Sequence, residues 1–413
     1  MKTAIFVCGC VIGLLQLYYY TGPGFGSGSE MAAVARSLAR TGAYGNPFAP
    51  LDTGPTALAP PLYPLFLAAL WKLFGGDAGM NFGAAFVSIA LNASIGLLLV
   101  RLAAKILGDA TAGVAAALLW FVSMRLMPQW DTSFTMAGTL VFCLAAARAA
   151  ERKSGAAGAI ATGALGGLLL LANPSLAIVL AAWLVFVLVR ARTGWASALR
   201  FAAIWCLTAA MCTLPWLARN YRVWGSPLLR TSFGITLYSS NNDCAEPSLF
   251  QEMNSGCFQK THPSFSEREA GLLARLGEPR YDSLKASEGM QWIRAHPARF
   301  ASLCAARVRD FWFPDPTPSP YTCYAIWAVT ILSIPGIVRM IRRRTAAGWF
   351  VLAAWVAYPA LYYIMLSCDR YRYPILWTSL LPAGSLLADL ARRAGWGWPP
   401  ASSRPGGAES GRL

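Results

Sequence analysis

Apolar segments long enough to approach a membrane span recur along this chain and restrict its fold more than any other feature. A transmembrane helix needs about 20 mostly apolar residues. Charged residues make up only 13% of the sequence, about half the usual share of a soluble domain. The sequence therefore predicts an all-α polytopic membrane helix bundle and excludes an ordinary soluble enzyme or a disordered chain. We predict about ten spans, at residues 4–20, 81–107, 110–127, 132–150, 156–172, 174–190, 198–217, 321–340, 346–366 and 373–391.

The basic residues are distributed as membrane topology requires. With the N-terminus inside, the six inner segments hold 17 Lys and Arg residues and the short outer loops hold six. Making the apolar stretch 60–75 a span would reverse every later loop, so we interpret it as a helix at the membrane interface. The net charge of +16 then reflects membrane topology and does not indicate nucleic-acid binding. Both termini are expected in the cytoplasm.

Four regions follow from this topology. Residues 1–217 form an N-terminal transmembrane module whose first outer loop is 21–80, and residues 218–320 form a mostly helical extracytoplasmic domain. Residues 321–391 form C-terminal transmembrane helices, and 392–413 is a Pro/Gly/Ser-rich cytoplasmic tail that we expect to be disordered. Within the outer domain, breaks at Gly277, Pro279 and Pro297 predict amphipathic helices at 265–277, 281–295 and 297–312.

Cysteine spacing gives one candidate disulfide. Cys244 and Cys257 lie in the predicted outer domain, where an oxidising compartment would allow them to pair. Cys323 and Cys368, at the outer ends of two spans, are a weaker candidate pair. Two histidines and no CxxC motif make a structural zinc site a poor interpretation.

Acids and arginines gather at the predicted outer rim of the bundle. An arginine can bind a lipid phosphate through two hydrogen bonds, and a carboxylate can accept a proton from an acceptor hydroxyl. Simpler roles stay open: the acids can be helix caps and the arginines interfacial anchors. The acids are Glu30, Asp52, Asp77, Asp131 and Asp369, and the arginines are Arg36, Arg125, Arg219, Arg222, Arg370 and Arg372.

Three motifs carry a resemblance to a known family. They are Gly28-Ser-Glu-Met-Ala-Ala-Val-Ala-Arg-Ser-Leu-Ala-Arg-Thr-Gly42 with Pro55-Thr-Ala-Leu-Ala-Pro-Pro-Leu-Tyr-Pro-Leu-Phe66, then Pro215-Trp-Leu-Ala-Arg-Asn-Tyr221 with Tyr238-Ser-Ser-Asn-Asn242, and last Asp369-Arg-Tyr-Arg-Tyr-Pro374. In this order they resemble GT-C glycosyltransferases. The most similar are the bacterial relatives of the protein O-mannosyltransferases and the aminoarabinose transferase, in glycosyltransferase family 39.

The resemblance implies an enzyme of the bacterial inner membrane with an extracytoplasmic active site. It implies inverting hexosyl or pentosyl transfer from a polyprenyl-phosphate-linked donor to a lipid, glycan or protein acceptor, as in cell-envelope glycosylation. Glu30 occupies the position of the family's first-loop acid, which is usually Asp and acts at the acceptor or helps to hold a metal, so a divalent metal stays open. The other implied site residues are Asp131 as a second acid, Arg219, Arg370 and Arg372 at the lipid phosphate, and Tyr63, Asn220 and Asp369 nearby.

Two alternatives from other classes remain at this stage. A transporter or flippase for a lipid-linked sugar would need polar groups near the middle of several spans, whereas the span centres here are nearly free of charge. A catalytically silent scaffold would keep the fold and lose the chemistry. The replacement of the usual acid pair by Ser29-Glu30 keeps that interpretation open.

Overall fold

The computed structural model describes residues 1–20, 29–151, 155–189, 194–317 and 319–396. Those residues form helices and loops, and their β-structure is limited to two isolated bridges, Gly45 with Pro55 and Ser248 with Ser367. The all-α prediction is therefore confirmed. The helices are α1 (Lys2–Tyr20), α2 (Glu30–Thr41), α3 (Leu62–Phe74), α4 (Gly76–Ile106), α5 (Ala110–Ser123), α6 (Thr132–Glu151), α7 (Gly155–Ala172), α8 (Ala177–Val189), α9 (Trp195–Trp224), α10 (Phe233–Ser240), α11 (Leu249–Ser255), α12 (Cys257–Thr261), α13 (Glu267–Leu276), α14 (Glu278–Ala295), α15 (Pro297–Trp312), α16 (Pro320–Arg342), α17 (Ala346–Ala357), α18 (Ala360–Ile364) and α19 (Trp377–Arg393).

Seven helices of the described residues are long and apolar enough to cross a membrane, and all seven coincide with predicted spans. The predicted spans 110–127 and 174–190 correspond to shorter apolar helices, Ala110–Ser123 and Pro174–Val189. The last predicted span belongs to a pair bent by 69°, the 3₁₀ turn Asp369–Ile375 followed by α19. Counting that pair as one span gives eight, so the predicted number of about ten is not confirmed.

The first outer loop begins with a capped helix. The Ser29 hydroxyl accepts a hydrogen bond from the Ala32 N–H at 3.1 Å. Ser29 is therefore the N-cap of α2, as predicted, and it pairs one of the N–H groups that the first turn leaves without a partner in the helix. Helix α2 buries Met31, Ala32 and Val34 against α3. The expected interfacial helix 60–75 is α3, and Gly75, with φ of 75°, turns the chain directly into α4.

Glycines bring α7 and α9 close together. A Cβ atom on Gly163 would lie 2.7 Å from the carbonyl oxygen of Trp205, and one on Gly167 would lie 2.6 Å from the Cβ of Cys212. Only a residue without a side chain fits at either position. Small residues four apart allow such contacts between membrane helices, where van der Waals packing replaces the hydrophobic effect.

The outer domain packs on the first outer loop. Its predicted helices are confirmed as α13, α14 and α15, each within three residues of the expected bounds. The loop residues Phe48 and Leu58 form one apolar cluster with Ile235, Leu273 and Tyr281 of the domain. The domain therefore covers the same end of the bundle that carries the first loop.

Two predicted domain boundaries fall at helices. Residue 217 lies inside α9, which continues to Trp224, and residue 320 is the first residue of α16. Of the predicted tail 392–413, Arg392 and Arg393 end α19. Residues 397–413 lie outside the described residues.

Candidate active site

A cavity of about 90 Å³ lies where the first outer loop, the outer domain and the loop after Ser367 meet. Leu249 N–H donates to Ser367 O and Ser367 N–H donates to Pro247 O, both at 2.9 Å, so that late loop is fastened to the outer domain. The cavity brings a carboxylate, two arginines and a histidine together. Its lining is Glu30, Met31, Leu58, Ala59, Trp130, Arg230, Ser232, Ile235, Thr236, Ser239, Leu249, Phe258, His262, Leu366, Arg370 and Tyr371.

Glu30 reaches this cavity from the first turn of α2. Besides capping the helix, the Ser29 hydroxyl donates to the carbonyl oxygen of Gln129 at 3.2 Å. That bond fixes the start of α2 against the residue before Trp130. A carboxylate in place of Ser29 could cap the helix but could not donate, which gives a physical reason for serine at this position.

Arg370 and Trp130 line the cavity together. The guanidinium carbon lies 3.4 Å from the centroid of the Trp130 ring and 5.3 Å from that of Tyr371. Stacking of this kind attracts the cation and holds its plane in one orientation. The guanidinium is thus presented to the cavity in a fixed pose.

Asp131 does not line the cavity. It is only 8% exposed, and its Oδ2 accepts a hydrogen bond from Asn173 Nδ2 at 3.1 Å. Burial raises the pKa of this carboxyl, while the charges of Arg230 and Arg370 act in the opposite direction. Asp131 therefore lies behind the cavity wall, within range of the charges of both arginines and hydrogen-bonded to Asn173.

Arg230 is a cavity residue that sequence reasoning missed. Its Nε donates to the carbonyl oxygen of Leu58 at 2.9 Å, which ties the outer domain to the first loop. Among the described residues, no hydrogen bond is made by its two Nη groups. Arg230 therefore lines the cavity and is held to the first loop through its Nε.

His262, also missed, follows the last residue of α12. Its Nδ1 accepts a hydrogen bond from the Ser264 N–H at 3.2 Å. Burial lowers the pKa of His262 to about 4, so the ring is neutral at pH 7 and its proton is on Nε2. Phe258 stacks on the ring at 4.4 Å between centroids and Phe48 meets it edge-on at 5.6 Å. The site thereby gains a fixed neutral hydrogen-bond donor.

The disulfide candidate lies close to this histidine. Cys244 and Cys257 are joined by a disulfide. Cys257 is the first residue of α12, the helix that His262 follows. The bond therefore secures the segment that carries the imidazole.

Arg219 and Asn220, expected at the site, brace the first loop. Arg219 donates to the carbonyl oxygens of Thr56 and Tyr44, each at 2.7 Å, and its guanidinium lies 5.1 Å from the Trp216 ring. Asn220 is fully buried and donates to Leu228 O at 2.6 Å. Neither residue lines the cavity.

Arg372 is also placed away from the cavity. It is 2% exposed and donates to Trp312 O at 3.1 Å, Thr330 Oγ1 at 2.7 Å and Ser379 Oγ at 3.1 Å. These bonds join α15, α16 and α19. Of the two arginines in this motif, Arg370 therefore lines the cavity, whereas Arg372 is packed between helices.

The remaining two expected residues support the rim. Asp369 forms an ion pair with Arg125 at 3.2 Å and accepts from the Arg370 N–H at 2.8 Å. Tyr63 is buried and donates to Pro128 O at 2.7 Å. Both fix segments that carry cavity residues, and neither lines the cavity itself.

The donor atoms around the cavity do not fit a bound metal ion. Over the described ranges, no three His, Cys, Asp or Glu side chains gather closely enough to hold one. Glu30 and Asp131 are the expected acids, and Asp131 is turned toward Asn173.

Solved structures with the same fold come from the oligosaccharyltransferase of Archaeoglobus fulgidus. The apo crystal structure aligns with a TM-score of 0.56 at 15% identity, covering 95% of this chain and 51% of that one. The archaeal oligosaccharyltransferase AglB in complex with an inhibitory peptide and a dolichol-phosphate aligns with a TM-score of 0.55 at 14% identity, covering 96% and 51%. The chain therefore shares the fold of these solved structures.

The likeness extends to the fold and no further. The chain spans about half the length of those oligosaccharyltransferase chains. No family model and no curated protein matches the sequence. The expected membership of glycosyltransferase family 39 and the bacterial origin therefore stay predictions.

Proposed function

We propose that this protein is an integral membrane glycosyltransferase that moves a sugar from a polyprenyl-phosphate-linked donor to an acceptor on the extracytoplasmic face. The observation that carries the proposal is one cavity lined by Glu30, Arg230, Arg370 and His262. In support, the chain shares its fold with an archaeal oligosaccharyltransferase that was solved in complex with a dolichol-phosphate.

Arg230 and Arg370 would bind the donor phosphate. Both carry guanidinium groups, and the stacked pose of Arg370 suits a planar two-point contact with phosphate oxygens. Asp131 would act as a positioning residue, because its buried carboxyl interacts with both arginines. The isoprenoid tail would stay in the bilayer.

Glu30 would act as the general base in a single inverting displacement. The acceptor hydroxyl forms its bond to the anomeric carbon as the bond from that carbon to the phosphate oxygen breaks. The hydroxyl proton goes to a Glu30 carboxylate oxygen, and the bonding electrons leave with polyprenyl phosphate. Arg230 and Arg370 stabilise the charge that grows on the departing phosphate.

His262 would orient a hydroxyl group of the sugar or the acceptor. Its Nε2–H is the only hydrogen-bonding proton on a ring held between Phe258 and Phe48. A neutral donor adds no third positive charge to the two arginines. The imidazole would thus contribute orientation and not proton transfer.

Release of polyprenyl phosphate by the purified protein tests the proposal. The full chain would be reconstituted in vesicles with polyprenyl-phosphate-linked hexoses and pentoses and with hydroxyl-bearing lipid, glycan and peptide acceptors. Cleavage of the donor would be followed with wild type and Glu30→Gln. We expect Glu30→Gln to lower turnover by about 10²–10⁴-fold, as for loss of a general base. Asp52→Asn is the matched control, because Asp52 is an exposed acid of the same loop outside the cavity.

Each alternative gives a distinct result. Wild-type turnover by Glu30→Gln would remove Glu30 as the base. Movement of intact donor across sealed vesicles without cleavage would favour a transporter, and donor binding with neither movement nor cleavage would favour a silent scaffold.

A further inference from the structure

A second cavity lies at the ends of α16 and α19, and its volume is about 590 Å³. Helix α19 starts next to the turn that carries Arg370 and runs 17 residues away from it. At 1.5 Å per residue this is about 25 Å of helix. The cavity is therefore remote from the proposed active site. Its lining is Ile334, Pro335, Val338, Arg339, Arg342, Arg343 and Arg393.

Close packing of the two helices explains why their arginines gather. A Cβ atom on Gly336 would lie 2.3 Å from the carbonyl oxygen of Pro382, so the backbones touch at this crossing. Asp389 of α19 then meets Arg339 at 2.5 Å and Arg343 at 3.8 Å. The buried acid therefore holds two of the lining arginines from behind.

The positive charge exceeds what the local acids neutralise. Arg392 forms an ion pair with the other carboxylate oxygen of Asp389, and it forms a second ion pair with Asp109 at 2.9 Å. Arg342, Arg343 and Arg393 are exposed on the cavity wall, and no ion pair of Arg342 or Arg393 occurs within the described residues. Two guanidinium groups of the wall are thus without an acid partner, and the third, Arg343, has only the 3.8 Å contact with Asp389.

The remaining wall is apolar and faces outward. Ile334 and Val338 stand one helical turn apart on α16 and are 48% and 43% exposed. Helix α16 is long and apolar enough to cross a membrane, so this exposed strip would contact acyl chains. A charged pocket at a helix end with an apolar strip beside it matches the two parts of a phospholipid.

We propose that this cavity binds the headgroup phosphate of an anionic glycerophospholipid. Arg342, Arg343 and Arg393 hold the phosphate, and one acyl chain lies along Ile334 and Val338. The exposed guanidinium groups select a net negative headgroup, because a zwitterionic lipid brings its own cation. This site does not depend on the proposed glycosyl transfer.

Lipid binding to the purified full chain tests the site. Native mass spectrometry and thermal unfolding would compare phosphatidylglycerol, phosphatidylcholine of the same acyl chains, and inorganic phosphate. We expect phosphatidylglycerol to bind at least tenfold more tightly than phosphatidylcholine. The combined variant Arg342→Gln, Arg343→Gln, Arg393→Gln should lose at least tenfold in phosphatidylglycerol affinity.

The matched control is the combined variant Arg101→Gln, Arg148→Gln. Both residues are exposed arginines of the predicted inner segments outside the cavity, and this variant should bind phosphatidylglycerol as wild type does. Should the triple variant fail to fold, Val338→Trp tests the apolar wall while leaving the arginines in place. It should also weaken phosphatidylglycerol binding at least tenfold.

Three results would overturn the proposal. The first is a folded triple variant, or a folded Val338→Trp variant, that binds phosphatidylglycerol within twofold of wild type. The second is equal affinity for the two lipids. The third is a thermal shift with inorganic phosphate equal to that with phosphatidylglycerol, which would make this a simple anion site.

Discussion

Arg370 and Arg372 stand two positions apart in one short turn, yet they have different surroundings. The first faces a cavity over Trp130, and the second donates three hydrogen bonds between buried helices. In a 3₁₀ turn, side chains two apart point in different directions. Their substitution should therefore affect different properties.

Arg370→Gln should weaken donor binding while leaving stability intact. Hydrogen bonds to charged groups contribute about 1.5–3 kcal/mol, so we expect affinity for polyprenyl phosphate to fall about 10–100-fold. Titration of polyprenyl phosphate against the purified protein measures this. Affinity within twofold of wild type would contradict the phosphate role.

Arg372→Gln should show the opposite pattern. Losing part of its hydrogen bonds leaves buried acceptors unpaired, at a cost of about 1–3 kcal/mol each. The thermal unfolding temperature should fall, and polyprenyl phosphate affinity of the folded fraction should stay close to wild type. A large loss of affinity without loss of stability would instead place Arg372 at the phosphate.

His262→Phe should lower kcat/KM for sugar transfer about tenfold, because the ring still stacks on Phe258 but no longer donates a hydrogen bond. His296→Phe is the control, since that exposed histidine stacks on Trp292 outside the cavity. With a His262 pKa of about 4, the wild-type rate should show no inflection near the usual histidine pKa. An inflection there that disappears in His262→Phe would show that the ring titrates.

Local sequence could predict Glu30 and could not predict Arg230 or His262. A serine before an acid and an apolar helix pattern is a signal within a few residues, and the Ser29 cap is present as expected. The cavity joins residues 30, 230, 262 and 370, which only tertiary packing brings together. Likewise, the sequence offered no means to separate Arg219 and Arg372, which brace the fold, from Arg370.

At the scale of elements, a buried acid joins α14 to the first outer loop. Glu278 is 2% exposed and accepts hydrogen bonds from Thr56 Oγ1 at 2.5 Å and the Ala57 N–H at 2.8 Å, and it also contacts Thr231. Burial raises the pKa of Glu278 to about 8. This carboxyl is thus protonated through most of the neutral range.

The stability of the protein should therefore depend on pH through Glu278. A carboxyl whose pKa is raised by folding stabilises the folded state fully below its unfolded pKa, and the effect is lost as pH rises through about 8. We expect the unfolding temperature to fall between the ordinary Glu pKa of about 4.5 and about pH 8, and Glu278→Gln to flatten that slope. Glu267→Gln, an exposed acid of the same domain, should leave the slope unchanged. An unaltered slope in Glu278→Gln would contradict the raised pKa.

Elements with strong periodicity were predictable to within a few residues, as α13 to α15 show. Proline and glycine ended those helices where the sequence places them. The bounds of the helices in the apolar stretches 110–127 and 373–391 were harder to predict, because apolar composition does not reveal where a helix ends or bends. The bend after Ile375 depends on the packing of the Arg372 turn among its neighbours.

At the scale of the whole molecule, the two cavities lie at opposite ends of α19, one with a carboxylate and one with surplus arginines. The positive-inside rule then assigns the arginine-rich end to the cytoplasm and the Glu30 end to the outside. Arg148 and Arg344 belong to the segments predicted to be cytoplasmic, and Asp52 and Gln291 belong to those predicted to be outside. All four residues are exposed.

Accessibility labelling in intact cells measures this orientation. In a background without the eight free cysteines, Asp52→Cys and Gln291→Cys should react with a membrane-impermeant maleimide. Arg148→Cys and Arg344→Cys should react only after permeabilisation, because basic loops are retained on the cytoplasmic side. The reverse pattern would place the Glu30 cavity in the cytoplasm, where the donor would have to present its sugar on the inner leaflet.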